Sequence, residues 1–231
     1  MSDTALVIMA RYPELGKIKT RLAASIGAEE TLDLYRAFLI DLAQRFADWD
    51  CDLYWAYTPT DVKFAEFLSE LVSLDASSWR NFPQHGAGLG DRLHHAFCTT
   101  HTDCKRKTIV IASDAPHISH ALISQAQEAL DSADVVLGPA EDGGYYLIAM
   151  RKPHDVFSGI PMSTQHVLHM TVDKAHHLGL SVHLLEPLFD IDEFPDLFRL
   201  AHILQEEQAL APATAACLAK FMSTQFMERP V

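Results

Sequence analysis

Short apolar runs rich in β-branched residues recur along this chain, and between them lie longer stretches whose apolar residues repeat at three- and four-residue steps. The runs cover 5–10, 52–57, 108–112, 134–138, 144–150 and 181–185, with a weaker one at 78–84 that ends near Pro83. They read as strands. The intervening stretches read as helices at 29–47, from the Gly-rich loop 86–91 through 97, and at 62–71, 119–130, 164–178, 196–206 and 213–226. In 29–47, Leu32, Tyr35, Phe38, Leu39, Leu42 and Phe46 share one face. Strands alternating with helical segments of this length demand an α/β fold, with a mainly parallel central sheet and helices on both faces. The turn chemistry of Asp142-Gly143-Gly144 implies that one strand departs from simple alternation. A single domain over 1–231 is expected, with a core of about 5–206 and a helical tail at 207–231.

Composition narrows the function classes. With 18 basic and 31 acidic residues the net charge is −13, which argues against a nucleic-acid binder. No apolar run is long enough to span a bilayer, so no membrane role is expected. The N-terminal Met1-Ser2-Asp3-Thr4 lacks the basic region of a signal peptide. The four cysteines, Cys51, Cys98, Cys104 and Cys217, form no CxxC pair and read as reduced thiols of a cytoplasmic protein. The spacings Cys98-x2-His101-x2-Cys104 and His166-x2-His169 fall short of four well-placed ligands, so structural zinc is not expected.

Charge is unevenly placed. Arg11, Lys17, Lys19 and Arg21 fall within eleven residues directly after the first strand, in an otherwise acidic chain. Such a loop suits an anionic small molecule, and Gly16 within it permits close backbone approach. The alternative is a solvated basic loop. Two acidic clusters lie at other strand ends. Ser113-Asp114-Ala-Pro116 offers a carboxylate for Mg²⁺ or Mn²⁺, or else an N-cap for the next helix. In Asp190-Ile-Asp192 the two carboxylates share a side if the chain is extended, and one of them offers a second metal ligand; the alternative is a helix entry. In open α/β sheets ligands bind at the carboxyl ends of the strands, so these clusters are expected to converge. Gly88, Asp91 and Arg92 of the Gly-rich loop, and Gly143, Gly144 and Tyr145 after Asp142, are the remaining candidate lining residues. The loop's GxGxG spacing is not the dinucleotide fingerprint.

Together, Met9-Ala-Arg-Tyr-Pro-Glu-Leu-Gly-Lys-Ile-Lys-Thr-Arg-Leu22, Ser113-Asp-Ala-Pro116, Gly138-Pro-Ala-Glu-Asp-Gly-Gly-Tyr-Tyr-Leu147 and Asp190-Ile-Asp192 resemble a bacterial family. It is the GT-A-like family of nucleotide-diphospho-sugar transferases, including radical-SAM/selenodomain-associated and arsenosugar-type glycosyltransferases. It is distantly similar to 2-phospholactate and molybdenum-cofactor guanylyltransferases. The resemblance covers roughly 5–200. It implies a Rossmann-like GT-A fold, a divalent cation (Mg²⁺ or Mn²⁺) beside the nucleotide, Asp114 and Asp192 as its ligands, and Asp114, Lys19 and Asp142 as catalytic candidates. The chain departs from the family pattern after Asp192, where Glu193-Phe194 replaces Thr-Pro, Pro195 stands one position later, and no glutamate precedes Asp196. The expected activity is sugar transfer from a nucleotide-diphosphate donor to a small-molecule acceptor. The alternatives are nucleotidyl transfer from a nucleoside triphosphate to a phosphorylated small molecule, and nucleotide binding without turnover.

Overall fold

The computed structural model describes residues 2–72, 78–103, 107–162 and 164–227, with side chains to 223. The strands are β1 (Thr4–Arg11), β2 (Asp52–Thr58), β3 (Arg80–Pro83), β4 (Lys107–Ala112), β5 (Val135–Pro139), β6 (Tyr145–Met150) and β7 (Val182–Leu184). They form one seven-stranded sheet in the order β3-β2-β1-β4-β6-β5-β7. Every pairing is parallel except those of β6, which runs antiparallel to both β4 and β5. The expected exception is therefore β6. Gly143 sits at φ +90° in the turn that reverses the chain, and any Cβ there would strike the backbone of Gln165.

The sheet is buried on both faces, as a parallel sheet must be. In β1, Leu6, Ile8 and Ala10 point to one core while Ala5 and Val7 point to the other. The first core is covered by α1 (Thr20–Ile26), α2 (Ala28–Phe46), α3 (Phe64–Val72), α5 (His120–Ala129), α7 (Phe194–Glu206) and α8 (Pro212–Met227). The second is covered by α4 (Leu89–Thr102) and α6 (Val167–His177). This is the Rossmann-like arrangement expected from the sequence. Among the described residues no helix is long and apolar enough to cross a membrane.

Two local features escaped the sequence pattern. Helix α1 has only seven residues and two buried apolar ones, Leu22 and Ile26, too few to register as a periodic stripe. Asp41 is buried in α2, where its carboxylate accepts hydrogen bonds from the amides of Ala213 (2.8 Å) and Thr214 (2.7 Å). It thereby caps the start of α8 and ties that helix to the body of the protein.

Candidate active site

The first strand has β2 on one side and β4 on the other, so the chain winds outward in both directions from the β1–β4 boundary. At such a switch point the loops leaving the carboxyl ends separate and open a crevice. A cavity of about 450 Å³ lies there, within the usual range for small-molecule sites. Its wall includes Arg11 at the end of β1, Lys19 and Arg21 after it, Thr58 at the end of β2, Gln84 after β3, Arg92 from α4, Ser113 and Asp114 after β4, and Asp192.

Asp192 comes from a distant part of the sequence, and the backbone explains how it arrives. The amide of Ile191 donates to the carbonyl of Asp114 (3.1 Å), pinning the 190–192 segment against the end of β4. The helix-entry role falls to Asp196, whose carboxylate accepts from the amides of Asp192 (3.0 Å) and Glu193 (2.8 Å) at the start of α7. Likewise the cap of α5 is Ser119, whose hydroxyl accepts from the amide of Leu122 (3.3 Å). Neither Asp114 nor Asp192 is therefore a helix cap, and both carboxylates face the cavity.

Between them lies Lys19. Its Nζ stands 3.0 Å from Asp114 Oδ1 and 2.8 Å from Asp192 Oδ1, and its side chain is only 6% exposed. Burial alone would push its pKa down. Asp114 and Asp192 outweigh that effect and hold it above the ordinary lysine value. The Lys19 backbone is left-handed, at φ 42° and ψ 50°, the one such non-glycine among the described residues. That conformation costs a lysine about 1–2 kcal/mol. It places the side chain inward at the start of α1.

A third carboxylate is close. Burial, then the charge of Asp114, push the pKa of Asp190 up to about 7, with Lys19 opposing and Asp142 and Asp192 adding to the rise. Its Oδ1 is buried and has no hydrogen-bond partner among the described residues. One lysine thus faces several acidic groups, and the site is rich in hard oxygen donors. Among the described residues no three metal-ligating side chains cluster as a closed cage. A Mg²⁺-type site needs none, since one or two carboxylates plus substrate oxygens and water suffice. Asp114 and Asp192 fit that requirement.

The other sequence candidates divide into two groups. Arg11, Lys19, Arg21 and Arg92 line the cavity, but Lys17 pairs with Glu14 (2.6 Å) outside that wall. Arg11 reaches back to the carbonyl of Lys17 (3.0 Å) and braces the basic loop, while Gly16 turns it at φ +73°. In the Gly-rich loop, Asp91 accepts from the amides of Ala87 (3.1 Å) and Gly88 (3.2 Å). Its carboxylate shapes the loop, and Gly88 remains open to solvent. Asp142 accepts from the amide of Gly144 (2.8 Å), a turn-forming bond beside Gly143, and Tyr145 is largely buried below the turn. Gly88, Asp91, Asp142, Gly143, Gly144 and Tyr145 all lie outside the cavity wall.

Over residues 41–164 the chain matches a family described as uncharacterized protein conserved in bacteria (DUF2064). The chain belongs to this family. A crystal structure from Desulfovibrio desulfuricans G20, provisionally described as a nucleotide-diphospho-sugar transferase, matches the DUF2064 chain with a TM-score of 0.81 and 30% identity, covering 96% of this chain and 99% of that one. A nucleotidyl transferase from Methanothermobacter thermautotroptrophicus matches with a TM-score of 0.58 and 16% identity, covering 88% and 98%. The 4-diphosphocytidyl-2C-methyl-D-erythritol synthase of Anaerococcus prevotii DSM 20548 gives 0.58 and 9%, covering 88% and 96%. At those two identities the likeness is one of fold. No curated protein matches in sequence. The resemblance carried by the sequence motifs is borne out at the level of family and fold.

Two lining residues of the DUF2064 chain were not singled out as site candidates from sequence. Tyr35 on α2 places its hydroxyl 2.9 Å from Ser113 Oγ and accepts from the amide of Arg11 (3.0 Å). Burial, then Asp114, push its pKa up to about 12, so it acts as a neutral strut between β1 and β4. Gln84 is buried and donates to the carbonyls of Ala10 (3.2 Å) and Ala56 (2.8 Å), closing the ends of three neighbouring strands. Tyr35 was hidden in an apolar stripe. Gln84 was readable as the polar residue ending a strand.

Beneath the Ser113–Pro116 turn, His117 is buried, and neither ring nitrogen has a hydrogen-bond partner among the described residues. Burial, reinforced by Arg45 and Arg199, pushes its pKa down to about 4. An unfolded histidine protonates near 6.5. Between those values the unfolded chain binds the proton and the folded one does not. Stability is therefore fully present above about pH 6.5 and lost as pH falls toward 4. The loss is about 3 kcal/mol on the linkage relation. Urea denaturation of wild type and His117→Phe at pH 7.5 and 4.5 checks this. The wild type should lose more stability than the variant on acidification, and equal losses would remove His117 as the cause.

Proposed function

We propose that this protein is a divalent-cation-dependent transferase acting on a nucleotide substrate, and that it moves a sugar from a nucleoside-diphosphate donor to a small-molecule acceptor. The observation that carries this reading is the meeting of Asp114 and Asp192 in a cavity rimmed by Arg11, Arg21 and Arg92, at the switch point of the sheet. The 30% identity to the Desulfovibrio protein, across nearly the whole of both chains, favours the sugar-nucleotide donor.

In this reading Arg21 and Arg92 bind the diphosphate from the cavity wall. Asp114 and Asp192 would hold Mg²⁺ or Mn²⁺ together with phosphate oxygens. A bound cation supplies Lewis-acid stabilisation of charge on the departing diphosphate. Glycosyl transfer breaks the bond from the sugar's anomeric carbon to the diphosphate oxygen and forms one to the acceptor oxygen, whose proton passes to the released diphosphate or to water. Arg21, Arg92 and Lys19 stabilise the charge that grows on the leaving group, and Tyr35 and Gln84 keep the strand ends that carry these groups in register.

A second reading has support in the same residues. Four cationic side chains line the wall, a number that suits a triphosphate, and nucleotidyl transfer would then release pyrophosphate. A thermal-shift series with nucleoside triphosphates and nucleotide sugars, each with Mg²⁺ or Mn²⁺, separates the two. Stabilisation by a nucleotide sugar followed by sugar transfer supports the first reading. Stabilisation by triphosphates alone favours the second. No response to any nucleotide would remove both.

A further inference from the structure

The two carboxylate oxygens best suited to a divalent cation are both held by one internal cation. Lys19 Nζ contacts Asp114 Oδ1 and Asp192 Oδ1 at 3.0 and 2.8 Å, on the two carboxylates that would hold the metal. A doubly charged ion sharing those oxygens would sit within a few ångströms of the ammonium, which is only 6% exposed, although the carboxylates, 39% and 48% exposed, are partly screened by water. The two cations repel strongly there, so they cannot share the pair of oxygens in this arrangement. The backbone adds a second observation. Lys19 is held in the left-handed region, a strained conformation for a lysine, at the junction between the basic loop and α1. Local strain of this kind persists only where surrounding contacts over-determine it, and here they include the two aspartates on Nζ and the amide of Ala23, which donates to the Lys19 carbonyl (2.8 Å).

We infer that Lys19 is an internal counter-cation competing with the divalent metal for Asp114 and Asp192, so that metal entry requires Lys19 to move off the aspartates into the cavity. This rests on the proposed function for the identity of the metal site, but it concerns a property of the nucleotide-free protein. It predicts weak metal binding to the resting wild type. It also makes substrate phosphates and metal mutually reinforcing, because phosphate oxygens in the cavity offer the displaced ammonium a new partner.

The test is Mn²⁺ binding to the full chain without nucleotide, read from the electron paramagnetic resonance signal of free Mn²⁺. Lys19→Met removes the charge and keeps the length. It should bind Mn²⁺ at least tenfold more tightly than wild type. Lys19→Arg, which keeps the charge, should not show the gain, and adding Asp114→Asn to Lys19→Met should abolish it. A folded Lys19→Met no tighter than wild type would overturn the inference. Should that variant not fold, ¹⁵N-lysine spectra of the wild type give an independent readout. The Lys19 ammonium resonance, assigned by its absence in Lys19→Arg, should shift on titration with Mg²⁺ alone. A resonance unmoved at metal concentrations where the Mn²⁺ signal shows the site to be filled would equally overturn the inference. Failure of the transferase reading shows separately, as the absence of any thermal shift with nucleotides.

Discussion

Asp114→Asn is expected to lower metal-dependent turnover by about a hundred- to a thousandfold, the usual cost of removing one preorganised charge from a transferring phosphate site. The fold should survive. Lys19 keeps Asp192 at 2.8 Å, and the side chain of Asp114 is 39% exposed, so the lost ion pair is partly screened. A stability change of about 1 kcal/mol is the expectation for such a pair. Steady-state kinetics with a saturating nucleotide, beside urea denaturation of the same preparation, checks both statements. Wild-type turnover in a folded Asp114→Asn protein would take Asp114 out of the metal site. Asp192→Asn should behave in the same direction, because its carboxylate meets the same ammonium from the other side.

How much of this was legible in the sequence follows from the kind of interaction involved. The sheet was legible because burial on both faces writes itself as uninterrupted apolar runs, as in Leu6-Val7-Ile8 of β1. The odd strand was legible because its turn needs a glycine at φ +90°, and Asp142-Gly143-Gly144 displays it. Asp114 could be placed because it ends a strand. What the sequence does not display is what each charge is bonded to. Lys17 and Lys19 are two residues apart in one basic loop. The structure sends Lys17 outward to Glu14 and Lys19 inward to residues 95 and 173 positions away. The difference is the left-handed backbone at Lys19, a conformation no local pattern announces for a lysine. Asp91 and Asp142 show the opposite case, where a short-range turn bond claims a carboxylate that composition alone suggested for ligand. Tyr35 was counted as core because it falls on the buried stripe of α2, and only the crossing of that helix over the ends of β1 and β4 turns its hydroxyl into part of the site.

The combined variant Asp114→Asn/Asp192→Asn is expected to be destabilised by about 3–5 kcal/mol, much more than twice the single changes, because it leaves a buried ammonium with neither carboxylate. Non-additivity is the signature of a shared partner. The pH dependence should also change sign. In the wild type the two aspartates hold the Lys19 pKa above its unfolded value. That contribution is fully present below the unfolded pKa of about 10.4 and is lost as pH rises through the folded value. In the double variant only the more distant charge of Asp190 opposes burial, and the folded pKa is expected to fall below the unfolded one. The penalty is then largest where an unfolded lysine is charged, and it shrinks as pH rises toward 10. Adding Lys19→Met to the double variant should recover most of the lost stability, since a neutral side chain of similar length needs no counter-charge. Urea denaturation of the wild type, the two single variants, the double and the triple at pH 7 and pH 9.5 measures every term. If the double variant loses only the sum of the singles and the triple gains nothing back, Lys19 is not held by the two aspartates together, and the bridging geometry at the centre of this site is not the one the protein adopts in solution.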